Sequence, residues 1–177
     1  AVDESVGRIR EVIARLGLSD RTVVVFCGDQ GSAMSHAPLR GGKPAGVALY
    51  EGGARVPMVV CWPGVVPPGL VIAEPVVTTD IFPTFLELAG GRPSGHPKLD
   101  GQSLVPLLRR EKASLGRGAI FLYRSYDDQY AAARAGDWKL IAYRSGKSEL
   151  YNLAEDLPEA NDLSARRPEK VADLRKK

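Results

Sequence analysis

Asp29 is the residue best placed to do chemistry. It follows directly on the run Thr22-Val23-Val24-Val25-Phe26-Cys27 and Gly28, and in open α/β sheets ligands gather at the carboxyl ends of strands. Residues 30–54, which come next, are rich in glycine and have little periodicity. They read as a long loop, and loops of that length in compact domains are often functional. Within it, His36 carries a side chain suited to donate a proton near neutral pH, with an exposed loop histidine as the plainer reading. Cys27 and Cys61, the only cysteines, each end a β-branched apolar run. That is the setting of a buried free thiol; a disulfide between them is the other possibility, and no CxxC spacing suggests a metal site. His96 stands among Ser94, Gly95 and Pro97 and reads as surface.

These residues need elements to hold them. Val2, Val6, Ile9, Ile13 and Leu16 recur at helical spacing and put one apolar stripe on a helix, with Gly17 as its left-handed stop and Leu18 as the apolar contact beyond. Ala1 and Val2 already belong to the stripe with no capping residue before them, so the chain is expected to start inside a helix and to be a piece of a longer polypeptide. The run ending at Cys27 predicts a strand buried on both faces of a parallel sheet. Residues 56–62 (VPMVVCW) predict a second, closed by Pro63 and Gly64. Thr79 or Asp80 is expected to cap a helix through Leu88, with Pro83 in its first turn and Gly90 after its end.

Beyond a Gly/Pro loop at 91–97 and the apolar segment SLVPLL, the texture changes. Four strand-like runs follow, AIFLY, YAAAR, WKLIAY and ELYNL, separated by Asp127-Asp128, Ala135-Gly136 and Ser145-Gly146, which predicts an antiparallel sheet. A final helix from Pro168 would present Val171 and Leu174 to that sheet. The expected organisation is an α/β part over residues 1–112 and a small antiparallel sheet with a C-terminal helix over 113–177.

Bulk properties narrow the function classes. An apolar content of 44% and a charged content of 25% in 177 residues are those of a globular chain able to bury a core. The net charge of +3 is small, and basic residues form a run only at Arg175, Lys176 and Lys177, which gives nucleic-acid binding little support. No stretch approaches the roughly 18 apolar residues of a membrane helix, and none has the build of a signal peptide.

Several motifs then occur in a telling order: VVVFCGDQGS, PLRGGK, LYEGGARVPMVVCWPG, TTDIFPTFLELAG, DGQSLVPLL, RAGDWKLI and ELYNL. In this order and at about this spacing they resemble the C-terminal part of a sulfatase, and the match covers nearly the whole chain. The resemblance implies an alkaline-phosphatase-like α/β fold with its catalytic centre at the carboxyl edge of the large sheet. It also implies a formylglycine nucleophile, made from the first residue of a C/S-x-P-S-R motif, and a calcium ion that draws charge from the sulfate oxygens. The family holds calcium with an early Asp-Asp pair and a later Asp-Asn pair. Asp29 matches the later aspartate, and Gln30 stands where asparagine is usual. Its carbonyl is still a hard oxygen ligand, but the extra methylene means that either the backbone shifts or Gln30 does not ligate. Lys43 in GGK matches the lysine that contacts the sulfate, where an ammonium stabilises the transferring oxyanion. PAGVALY intervenes before the EGG motif where the family is shorter, which leaves open a displaced lysine. His36, in the same loop, would protonate a leaving alcohol. Glu51 and Arg55 are expected to brace the loop by an ion pair, with Gly52 and Gly53 supplying backbone angles other residues resist.

The nucleophile motif itself is not found in this sequence. Cys61-Trp62-Pro63-Gly64-Val65 begins like it but has valine where arginine is required, so Cys61 reads as a core thiol. The chain alone is therefore expected to be inactive, with a sulfate ester as substrate, calcium as cofactor, and an N-terminal half or another copy of the chain as partner in the complete enzyme. Two alternatives remain: a phosphoryl or phosphonate hydrolase of the same superfamily, and a non-catalytic, degenerate domain.

Overall fold

A computed structural model describes residues 1–44, 46–92 and 99–177; the reading of His96 and most of the loop around it fall outside the described residues. Contacts gather into two compact units, residues 1–26 with 59–116 and residues 27–58 with 117–177. The segment 27–58 thus packs with the C-terminal third rather than with its sequence neighbours.

In the first unit, α1 (Val2–Arg15) ends as its sequence requires. Gly17 takes φ 67°; its amide donates to the Ala14 carbonyl and that of Leu18 to Ile13, both at 3.0 Å, satisfying the last turn. The apolar stripe forms, yet no residue of α1 is buried. Strands β1 (Val24–Cys27) and β2 (Met58–Cys61) pair with each other. The expected burial on both faces is not met, because Phe26 is 39% and Val59 59% exposed. Two-sided burial needs a wide sheet with helices on both faces, and only these two strands form this sheet among the described residues. For the same reason Cys27 and Cys61 are free thiols but only half-buried.

Helix α3 (Ile81–Leu88) follows a single 3-10 turn, Thr78–Asp80. Asp80 stands at the expected cap position, but its fully buried carboxylate does not cap the helix. It accepts from the amides of Val77 (2.9 Å) and Gln102 (2.8 Å) instead. Thr84 Oγ1 donates to the Asp80 carbonyl and accepts from the Leu104 amide, which ties the short α4 (Val105–Leu108) to α3.

The second unit contains the predicted antiparallel meander, β3 (Ile120–Tyr123), β4 (Gln129–Ala135), β5 (Trp138–Tyr143) and β6 (Ser148–Asn152), in sequential order. Alanine is a weak strand former, but in β4 its small side chain lets other layers approach both faces. On one face Leu49 and Tyr50 pack against Ala132, Ile141 and Tyr151. On the other, α5 (Pro168–Arg175) brings Val171 and Leu174 onto Leu140 and Leu150. Each such leucine, fully buried, contributes about 1.5–3 kcal/mol.

Candidate active site

The candidate residues lie on the segment between β1 and β2. Asp29 is exposed, at the carboxyl end of β1, and Gln30 beside it is half-buried. Gly31 is buried, and its amide donates to the Gly53 carbonyl at 3.0 Å. From there the loop returns on itself around Ser32. The Ser32 amide donates to His36 Nε2 at 2.8 Å, and the Lys43 amide donates to the Ser32 carbonyl at 3.0 Å. His36 is therefore tied into the loop rather than hanging free. The same Nε2 also lies 3.0 Å from the Ser32 carbonyl oxygen. The Leu39 amide closes the turn onto the His36 carbonyl at 2.8 Å, across a cis Ala37–Pro38 peptide.

Backbone bonds close a turn after Lys43. The Val47 amide donates to the Pro44 carbonyl and the Gly42 amide to that of Val47, both at 3.4 Å. The backbone of Lys43 is joined to Ser32 on the other side.

The EGG motif forms one turn of helix, α2 (Glu51–Ala54). Gly52 and Gly53 are not there for unusual backbone angles, since neither has positive φ. They are there for space. A methyl on Gly52 would press on the carbonyls of Arg40 and Gly41, and one on Gly53 would overlap that of Ala48. The expected Glu51–Arg55 pair is present but long, at 3.8 Å. A much closer partner is Lys139 on β5, whose Nζ lies 2.8 Å from Glu51 Oε1 and 2.9 Å from Glu159 Oε1. Lys139 is 1% exposed and Glu159 is fully buried. Burial pushes the Glu159 carboxyl above the ordinary glutamate range, against the pull of Lys139.

A second buried network lies alongside. Tyr50 Oη donates to Glu149 Oε2 at 2.6 Å, Tyr151 Oη donates to the same oxygen at 3.0 Å, and Lys147 Nζ donates to Oε1 at 2.6 Å. Burial alone would raise the Glu149 carboxyl; these donors hold it below the usual value instead. Arg40 bonds the Tyr151 hydroxyl at 3.0 Å and covers the Tyr50 ring at 4.0 Å.

Reading the sequence missed Lys139, Glu149 and Glu159. Lys139 had a signal: it sits in WKLIAY, on the strand face of Ile141, where a lone charge among apolar neighbours implies a buried partner. Glu159 had none, because the segment after β6 has no periodicity.

Asp29 just after β1, a loop closed on itself around Ser32 and the buried Lys139 cluster under the EGG turn are the geometry that the sequence comparisons bear on. The sequence profile described as "Sulfatase" matches residues 1–91, and that described as "N-sulphoglucosamine sulphohydrolase, C-terminal" matches residues 47–177. The chain belongs to the sulfatase family, as its C-terminal portion, with the alkaline-phosphatase-like fold of that family. It is 34% identical to arylsulfatase A of Homo sapiens over 99% of this chain and 36% of that protein. It superposes on a crystal structure of Ps i-CgsB in complex with k-i-k-neocarrahexaose with a TM-score of 0.84 and 30% identity, covering 98% of this chain and 39% of the other. A phosphonate monoester hydrolase of Agrobacterium radiobacter is similar at 26% identity and a TM-score of 0.71, over 98% of this chain and 39% of that one. The chain thus spans well under half the length of the proteins it matches.

Proposed function

We propose that this chain is the C-terminal segment of a calcium-dependent sulfate-ester hydrolase whose formylglycine nucleophile lies on a part of the protein outside it. Asp29 and Gln30 then supply oxygen ligands to the calcium, Lys43 stabilises negative charge on the sulfate group, and His36 protonates the leaving alcohol. The observation that supports this reading is the loop closure around Ser32, which ties His36 and Lys43 to the residues next to Asp29 and Gln30.

The donor chemistry fits a hard dication: one exposed carboxylate followed by one amide carbonyl. No group of three His, Cys, Asp or Glu side chains able to hold a metal forms among the described residues, so the remaining ligands come from elsewhere in the complete protein. When bound, calcium supplies polarisation of the sulfate oxygens. The chain by itself is inactive in this reading, because positioning groups without a nucleophile form no covalent intermediate.

The test is Lys43→Ala in a polypeptide that joins this chain to its nucleophile-bearing part. Removing one preorganised oxyanion donor lowers the rate by about two to three orders of magnitude, while melting hardly changes because the side chain is exposed. A loss below about threefold sinks the sulfate-contact role. Likeness to a phosphonate monoester hydrolase supports a second reading, in which the same edge serves a phosphonate or phosphate ester. Comparing turnover of an aryl sulfate with that of the matching phosphonate separates the two.

A further inference from the structure

We propose that Lys139 is a positioning residue: its buried ammonium, clamped between Glu51 and Glu159, holds the active-site loop in register. An ion cluster with this little exposure does not add stability over well-packed apolar side chains. What it supplies here is direction. Glu159 takes φ 54°, a left-handed backbone that a glutamate rarely adopts, and in that conformation it serves three partners at once. Its Oε2 accepts the Glu51 amide at 2.6 Å, its Oε1 meets Lys139, and its main-chain carbonyl accepts Arg40 Nη1 at 2.7 Å. The Arg40 carbonyl in turn accepts the Gly52 amide at 2.7 Å.

Both arms of the loop therefore hang from this cluster. One arm runs from Glu51 through Gly53 to Gly31, beside Asp29 and Gln30. The other runs from Glu159 through Arg40 to Lys43. Removal of the ammonium leaves Glu159 facing Glu51, whose other cations, Arg134 at 3.7 Å and Arg55 at 3.8 Å, sit on its far oxygen; the low-cost relief is to swing Glu51, with α2, away from Glu159. The sheet beneath, closed by its own ladder and by α5, does not depend on Lys139 for its pairing. That this register serves catalysis rests on the sulfatase reading; the clamp itself does not.

Amide hydrogen exchange on the chain with Lys139→Met tests the clamp without any turnover. The amides of Gly31, Lys43 and Gly52 are expected to exchange roughly tenfold faster or more, as loss of a charge-assisted bond implies, while those of β5 and β6 keep their protection. Equal acceleration in loop and sheet, or none in the loop, overturns the proposal. If Lys139→Met does not fold, Glu159→Gln is read the same way, since it keeps the side-chain size and removes one ionic contact. In the joined enzyme Lys139→Met should lower kcat. A released loop with unchanged kcat would overturn the catalytic role, and if Lys43→Ala is equally silent, the sulfate-contact role of Lys43 fails as well.

Discussion

The amide of Gly31 donates to the carbonyl of Gly53 at 3.0 Å, and the two backbones lie so close that a methyl on Gly31 would overlap the carbonyl oxygen of Gly52. This contact joins the residues next to Asp29 and Gln30 to the EGG turn. Gly31→Ala is accordingly expected to cost about 1–3 kcal/mol, the usual penalty of overpacking against backbone that cannot retreat. Urea denaturation measures it. A change within about 0.5 kcal/mol, as for an ordinary surface substitution, would mean the approach is not tight.

Glu149 makes a prediction about pH. Its folded value lies below the ordinary 4.5 because Lys147, Tyr50 and Tyr151 donate to it in spite of its burial. A carboxylate depressed in the folded state contributes fully above its unfolded value, and that contribution is lost as pH falls through the folded one. Glu149→Gln should lower stability at pH 7 by about 1.5–3 kcal/mol, the range for hydrogen bonds to a charged group. It should also flatten the loss of stability below pH 4.5. Melting curves from pH 7 down to acid test both parts, and an unchanged acid slope would remove Glu149 from the account.

The stripe on α1 predicts association. Val2, Ile9 and Leu16 are 63%, 56% and 64% exposed on one helix, and a contiguous apolar face of this kind seeks cover. The isolated chain is expected to self-associate, with Ile9→Lys weakening the association. Sedimentation at several concentrations decides; a compact monomer that resists concentration would show that α1 needs no partner.

Calcium should bind the isolated chain weakly. Asp29 and Gln30 offer at most three side-chain oxygens where such a site needs about six to eight. Calorimetric titration is expected to find no site tighter than millimolar. A micromolar site abolished by Asp29→Asn would mean that the chain supplies further ligands of its own.

Much of the local structure was legible before any coordinates. The stripe of α1 and its Gly17 stop, the four strands after residue 119, and the contact of Val171 and Leu174 with the sheet all follow from short-range patterning, because period and turn chemistry act within a few residues. Asp29, Gln30, His36 and Lys43 were singled out as candidates from strand-end placement and motif order alone. Packing and charge pairing were not. Gly52 and Gly53 matter because carbonyls from Arg40, Gly41 and Ala48 crowd them, and Lys139 matters because Glu51 and Glu159, far apart in sequence, meet it from two sides. Half-exposure of β1 was equally hidden, since a run of valines specifies a strand but not what covers it. The amino-acid sequence by itself determined most of the elements, their order and the family, but not the short helices α2 and α4. Only the tertiary structure decided which charges are buried together and which face of the loop they hold, because those outcomes depend on distances between segments that no local pattern encodes.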